Sequence, residues 1–279
     1  MNKYEYTGER FVPEYKAQSI MALEHYHRYM FCSKYVNNKK VLDIACGTGY
    51  GAELMSYAAN KVTGADIDPV TIQYCNALYK KKNLQFDVMS VDKINYPKKS
   101  FDIITCFETI EHISEEQQKT AISQFAHVLK EDGILFISTP STSSPLHIKD
   151  NKYHIHELSH NEFYKLLSTQ FKYVNIIGQS ICLSSVIGNC DNQTHIFTQN
   201  KDHKVENCKY LIAICSNSDI SNIETSSIYI DNTSHFLRKL TKIRNKIGCM
   251  INLYNFFIKT ITILCPIKKL KKQIEKLKW

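Results

Sequence analysis

The chain has 279 residues, 43% of them hydrophobic, with only 9 Gly and 6 Pro. That composition buries a core and excludes collagen-like, low-complexity and disordered classes. The formal charge of +8 is uneven: residues 236–279 hold 12 Lys/Arg and one acid, Glu275, a balance of +11, leaving 23 basic against 26 acidic residues, −3, in residues 1–235. A main domain of that sign is a poor platform for a phosphate backbone, which argues against nucleic acid as its partner.

Residues 1–40 carry Thr7-Gly-Glu-Arg-Phe-Val-Pro13 and a helical pattern from Ala17 to Tyr35. This segment is expected to cap the C-terminal edge of a sheet, or to be a plain covering helix. Val41–Ala45 reads as a buried strand, followed by a glycine-rich turn and a helix over Tyr50–Ala59. Lys61–Asp66 is a second strand, and Pro69 opens the next helix. Leu84–Val88, Phe101–Phe107 and Gly133–Ser138 are further strands, with a helix bearing Ile122, Phe125, Ala126 and Leu129 before the last of them. A helix at Asn161–Thr169, a strand near Tyr173–Ile177, an irregular loop over 189–208 and a strand at Tyr210–Cys215 follow. The alternation predicts an α/β fold: a Rossmann-like, mostly parallel sheet of seven strands with helices on both faces, over residues 41–235.

Residues 236–279 form a basic amphipathic tail. Ile243, Ile247, Met250, Tyr254, Phe257 and Ile261 recur at helical spacing, and Ile267, Leu270, Ile274 and Leu277 repeat the pattern after Pro266. Such a tail can lie on an anionic membrane surface, engage a partner helix or second copy, or pack on its own domain. The 10 cysteines show no C-x-x-C pair and read as reduced, mostly buried thiols. Met1–Tyr6 lacks the apolar run of a signal peptide, and the longest apolar stretch, Ile247–Leu264, is broken by Asn252, Asn255 and Lys259. The expectation is a cytoplasmic protein, peripheral at the membrane's inner face if the tail binds lipid.

Asp43-x-Ala45-x-Gly47-Thr-Gly49-Tyr-Gly51 sits between the first strand and the first helix of the sheet. Glycines there allow a tight turn and close approach of a ligand. The second strand ends in Asp66, where a carboxylate can accept both hydroxyls of a ribose. These residues, with Ser100–Cys106 and His127–Pro140, resemble the class I S-adenosylmethionine-dependent methyltransferases over residues 41–140. The resemblance implies S-adenosylmethionine with its methionine end at Asp43, Ala45, Gly47 and Gly49 and its ribose at Asp66. It implies an adenine framed by Ile67, Ser90 and Val91, and a sulfonium lined by Phe107. Ala45 stands where many members have Gly, and its methyl is expected to be tolerated. Ser90 stands where an acid often faces the base, and its hydroxyl can hydrogen-bond there instead.

Glu108, Glu111 and His112 follow the fourth strand at i, i+3, i+4, so one helical turn would align them, and His154 lies downstream in Tyr153-His-Ile-His-Glu157. This arrangement resembles two metal-assisted branches, the small-RNA 3′-terminal 2′-O-methyltransferases and the ubiquinone-pathway O-methyltransferases. That implies a Mg²⁺ or Mn²⁺ ion on Glu108, Glu111, His112 and His154, binding neighbouring hydroxyls of the acceptor. The alternative is solvated glutamates and a hydrogen-bonded His112. His156 and His160 are reserve candidates for a general base.

With Thr7–Pro13 and Glu24-His-Tyr-His-Arg-Tyr29 added, the order of motifs resembles bacterial methyltransferases of surface-polysaccharide and glycan assembly, over residues 5–230. This implies O-methylation of a sugar hydroxyl on a nucleotide-sugar or lipid-linked glycan, with His25, His27 and Arg28 facing the acceptor or its phosphate. A quinone-type phenolic acceptor, an RNA acceptor, and a cofactor-binding scaffold for a glycosyltransferase stay open as alternatives.

Overall fold

The computed structural model describes residue 12, residues 19–181 and residues 204–228. The chain divides into Met1–Tyr229 and Ile230–Trp279. The expectations for residues 7–11, 13, 17–18 and 189–203 and for the 236–279 tail lie outside the described residues.

Helix α1 (Ile20–Ser33) starts where the Ser19 hydroxyl accepts from the Ala22 N–H. It is followed by β1 (Lys40–Ile44), α2 (Tyr50–Met55), β2 (Lys61–Asp66), α3 (Pro69–Leu78) and β3 (Leu84–Val88). Then come β4 (Phe101–Phe107), a single 3-10 turn (Ile110–His112), α4 (Glu115–Val128) and β5 (Leu129–Pro140). The described elements end with α5 (His160–Ser168), β6 (Tyr173–Gln179), a 3-10 turn (Val205–Asn207) and β7 (Tyr210–Ser216). Local chemistry sets the helix starts. Asp68 caps α3 with Pro69 in the first turn, and reciprocal capping boxes, Ser114 with Gln117 and Ser159 with Glu162, open α4 and α5.

The strand order is β3-β2-β1-β4-β5-β7-β6, parallel except for β7, which runs antiparallel between β5 and β6. This is the expected seven-stranded, mostly parallel sheet. Several boundaries shift by one to four residues, two of them for a visible reason. Leu129, read as helical, opens β5 because it pairs with Phe101. Helix α2 stops at Met55 rather than Ala59, and the Asn83 side-chain amide takes the Ser56 and Ala59 carbonyls at 2.8 and 3.0 Å.

The side-chain period of two splits the central strands. Leu42, Ile44, Ile104 and Cys106 join one core layer with Phe125 of α4 and Phe163 of α5. Val41, Ile103 and Phe107 join the other with Tyr29 of α1, and Asp43 and Thr105, register partners in β1 and β4, share that second face. Helix α1 lies over the C-terminal strand ends. Arg28 Nη1 donates to Gln179 Oε1 at 3.0 Å, and Gln179 Nε2 donates to the Glu24 carbonyl at 2.9 Å. The buried Glu24 carboxylate takes Lys209 Nζ at 2.8 and 2.9 Å, as a buried charge requires.

Cys32, Cys46, Cys75, Cys106, Cys208 and Cys215 are buried free thiols. Among the described residues no helix is long and apolar enough to cross a membrane.

Candidate active site

The strand order reverses between β1 and β4, and open α/β sheets bind ligands beyond the carboxyl ends of strands at such a point. From Ile44 the chain turns into α2 with Ala45, Gly47 and Gly49 all left-handed, at φ 60°, 53° and 79°. A Cβ on Gly47 would meet nothing within 4 Å, so the turn faces an open cradle of the kind a ligand fills. A Cβ on Gly51 would lie 2.1 Å from the Tyr29 ring, which fixes α1 against α2. The cost of Ala45 is therefore in its backbone, about 1–2 kcal/mol for an L-residue at such φ, rather than in the size of its methyl.

Asp43 is fully buried. The Thr105 hydroxyl donates to its Oδ1 at 2.7 Å, and the Tyr29 hydroxyl reaches the same oxygen at 3.1 Å. Burial outweighs those bonds and raises the Asp43 carboxyl to about 7. Asp66 closes β2 and is also buried. Its Oδ2 accepts the Gly47 N–H at 3.1 Å and its Oδ1 the Asp68 N–H at 3.0 Å, tying the glycine turn to the second strand.

Beyond the ends of β2 and β3, Ile67 and Val88 are 65% and 52% exposed, a paired aliphatic lip beside Ser90. The Ser90 hydroxyl is spent on Asp92, whose other oxygen takes Gln117 Nε2 at 3.1 Å. The Ser90 bond, then Gln117, hold the Asp92 carboxylate below its usual range against its slight burial. Asp92, two residues along in Ser90-Val-Asp92, was not singled out in the sequence. Val91 packs into the core with Leu42 and Ile44, leaving its backbone to the rim.

Phe107 ends β4 edge-on to Tyr29, with ring centroids 5.1 Å apart. The next residue, Glu108, is left-handed at φ 51°, unusual for a non-glycine and concentrated at functional sites. Its N–H donates to the Ser138 carbonyl at 3.2 Å, and its Oε1 accepts the Ser138 hydroxyl at 2.6 Å and lies 3.3 Å from Arg28 Nη1. The expected single helical turn is absent. The chain reverses at Glu108 before the 3-10 turn, which separates Glu108 from Glu111 and His112.

Glu111 is 1% exposed, with Thr139 Oγ1 donating to its Oε2 at 3.2 Å. Burial first, and then the Glu108 carboxylate, push Glu111 well above the ordinary range. His112 Nδ1 lies 2.9 Å from the Tyr153 carbonyl, so its N–H points there and Nε2 faces Glu111 Oε1 at 3.9 Å. The third member is His154, whose ring centroid is 5.0 Å from that of His112. One ligand atom from each of Glu111, His112 and His154 lies within 4.8 Å of the others, close to the ~4.2 Å that two metal bonds of ~2.1 Å span at most.

His154 comes from a loop without regular structure that is sewn to the 3-10 turn. The Ile155 and His156 N–H groups donate to the Glu111 carbonyl at 2.8 and 3.1 Å. Gln118 of α4, fully buried, donates to the Ile110 and His156 carbonyls at 2.8 Å each, and its Oε1 lies 2.9 Å from His156 Nδ1. His156 thus ties the loop to α4 through Nδ1, and His160 is the first residue of α5. Gln118 has no motif around it and was not singled out. Of the N-terminal residues, His25 Nδ1 lies 2.6 Å from the Tyr50 hydroxyl, and burial followed by the charges of Arg28 and Lys34 lowers His27.

A protein-family model described as a methyltransferase domain matches residues 41–133. Residues 41–133 are thus similar to a methyltransferase domain. The chain is 30% identical over 166 residues to a probable S-adenosylmethionine-dependent methyltransferase of Mycolicibacterium smegmatis, a match covering 58% of this chain and 63% of the relative. It is 36% identical over 108 residues to a ubiquinone biosynthesis O-methyltransferase of Glaesserella parasuis, covering 36% of this chain and 45% of that one. The chain thus spans less than two thirds of these curated relatives. In fold, the structure of an S-adenosylmethionine-dependent methyltransferase from Archaeoglobus fulgidus matches with a TM-score of 0.53 at 17% identity, covering 70% of this chain and 92% of that one. The seven-stranded sheet therefore shares the fold of that methyltransferase. The family match ends at Gly133, so Glu108, Glu111 and His112 fall inside it and His154 outside.

Proposed function

We propose that the protein is an S-adenosylmethionine-dependent O-methyltransferase whose acceptor is a sugar hydroxyl, on a nucleotide-sugar or lipid-linked glycan, and which uses a divalent cation. The observation that carries this reading is the convergence of Glu111, His112 and His154 beside Phe107 at the C-terminal strand ends. The O-methyltransferases among the relatives support oxygen as the methylated atom.

S-adenosylmethionine would supply an electrophilic methyl group, and the open Gly47 turn fits its approach. Asp43 would sit at the methionine end and Asp66 at the ribose, with Ile67, Val88 and the Ser90–Asp92 pair around the base. Glu111, His112 and His154 would hold the cation. Two imidazoles to one carboxylate suit Mn²⁺ better than Mg²⁺. The cation would supply a charge that lowers the pKa of an acceptor hydroxyl. Glu108, the fourth expected ligand, is paired with Arg28 and lies outside the group of three. Arg28 thereby holds Glu108 at the mouth of the site, and Tyr29 and Phe107 close the side next to Asp43.

The reading is tested by assaying labelled S-adenosylmethionine with nucleotide-sugars, lipid-linked glycans and catechol-type phenols, with and without a chelator. Chelator-sensitive methylation of the sugars, lost in Glu111→Ala, is the expected result. Transfer to phenols alone would move the acceptor to the quinone class, and transfer unaffected by chelator would remove the cation. Cofactor binding with no turnover on any acceptor would favour a scaffold. The tail's place at an anionic membrane or partner helix is part of the proposal. Truncation at residue 235 is expected to abolish sedimentation with anionic vesicles.

A further inference from the structure

The two imidazoles of the candidate cation site are held by different means. His112 gives its Nδ1–H to a backbone carbonyl, that of Tyr153. His154 Nδ1 is bonded to the Glu157 carboxylate through Oε1, and Glu157 Oε2 lies 2.7 Å from His147 Nε2. A carboxylate with an imidazole nitrogen on each of its oxygens accepts from both, so this geometry puts the His154 proton on Nδ1 and its lone pair on Nε2.

We propose that Glu157 and His147 are positioning residues of the cation site. Glu157 fixes the tautomer and ring direction of His154, and His147 fixes Glu157 by occupying its second oxygen. The inference rests on the cation reading above, and assigns to that site two residues that touch no ligand atom. The Nε2 lone pair already acts as an acceptor, since Asn151 Nδ2 stands 3.0 Å from it. Asn151 is thus a competitor for the atom a cation would take. The side chains of His147 and His154 are 11% and 13% exposed and that of Glu157 21%, so the row of three is shielded but not sealed. Partners of this kind orient ligating histidines and raise their basicity, and losing one typically weakens metal binding roughly ten- to hundredfold.

The test is calorimetric titration of the full chain with Mn²⁺, with S-adenosylhomocysteine binding as the measure of an intact fold. Glu157→Gln and His147→Phe are each expected to weaken Mn²⁺ binding by roughly ten- to hundredfold and to leave S-adenosylhomocysteine affinity unchanged. Glu157→Asp is expected to recover part of the loss, and Asn151→Ala to bind Mn²⁺ at least as tightly as the parent. Imidazole ¹⁵N shifts should report an Nδ1–H tautomer for His154 in the parent and a mixture in Glu157→Gln, which a purely structural role would not produce. Should Glu157→Gln also lose S-adenosylhomocysteine binding, its effect is on the fold and His147→Phe decides. Mn²⁺ affinity unchanged in both variants overturns this inference and leaves the cation reading standing. No Mn²⁺ binding by the parent chain overturns the cation reading, and the inference with it.

Discussion

The two halves of the site are built by opposite means. On the cofactor side, Asp43, the glycine turn and Asp66 lie within 24 residues of one another along the chain; Asp66 bonds the backbone of the turn, and Asp43 adds the hydroxyls of Tyr29 and Thr105. On the acceptor side, Glu111 and His112 meet His154 only because Gln118 and the Glu111 carbonyl hold a loop more than 40 residues away. The first half is a local motif set on two adjacent strands. The second is a tertiary assembly with few contacts of its own, and so should fail separately from the first.

The largest effect should come from pH on the cofactor side. Asp43 keeps its proton in the fold up to about 7, whereas an unfolded Asp loses it near ~4. The native state then binds more protons between those values, so stability falls as pH rises from ~4 to about 7 and is flat above. At ~1.4 kcal/mol per unit, the contribution is on the order of 4 kcal/mol. The gap in thermal midpoint between the parent and Asp43→Asn should close or reverse across that window, and a pH-independent gap would contradict the assignment. Ionisation of Asp43 should also tighten S-adenosylhomocysteine binding as pH rises through the same range, if the carboxylate meets the α-ammonium of its homocysteine end.

Gln118→Leu should break the other half. It strands the Ile110 and His156 carbonyls and His156 Nδ1, and buried polar groups without partners cost ~1–3 kcal/mol each. A loss of roughly 3 kcal/mol is expected in denaturant unfolding. Mn²⁺ binding should weaken far more than S-adenosylhomocysteine binding, and equal losses would mean the halves are not separable. Gly51→Ala tests the contact that joins α1 to the cofactor side. Its Cβ would collide with Tyr29, and overpacking of this kind costs about 1–3 kcal/mol. Gly51→Ala with Tyr29→Ala should recover part of that loss in thermal unfolding. The smallest change is Ala45→Gly, which relieves a left-handed φ at the cost of added freedom in the unfolded chain. A gain of about 0.5–1 kcal/mol is expected, and any loss would show that the Ala45 conformation carries no strain.

The same contrast explains which parts of the protein could be read early. Strands β2 and β4 begin and end as expected because a central strand buried on both faces shows as a largely apolar run, whereas β3, at the sheet edge, shows by the alternation of buried and half-buried residues. The glycine turn and Asp66 were legible because their geometry is decided within a few residues. Glu108 was placed on one helical turn with Glu111 and His112 because spacing alone cannot reveal a left-handed residue that breaks the period. Ser90 was given a role that belongs to its pairing with Asp92, since a hydroxyl's partner is a matter of position and not of type.

The opening charge count divides the chain into a slightly acidic domain and a basic tail, a property of sequence that no folding alters. The succession of strands along the chain, the mostly parallel seven-stranded sheet and the glycine turn after β1 follow from local pattern and were determined there. The company of Glu111, His112 and His154, the pairing of Glu108 with Arg28, and the row from His154 through Glu157 to His147 were decided only by the tertiary structure. Those side chains come from elements far apart in sequence, and their protonation and direction depend on burial and on hydrogen-bond partners that exist only once the sheet has formed.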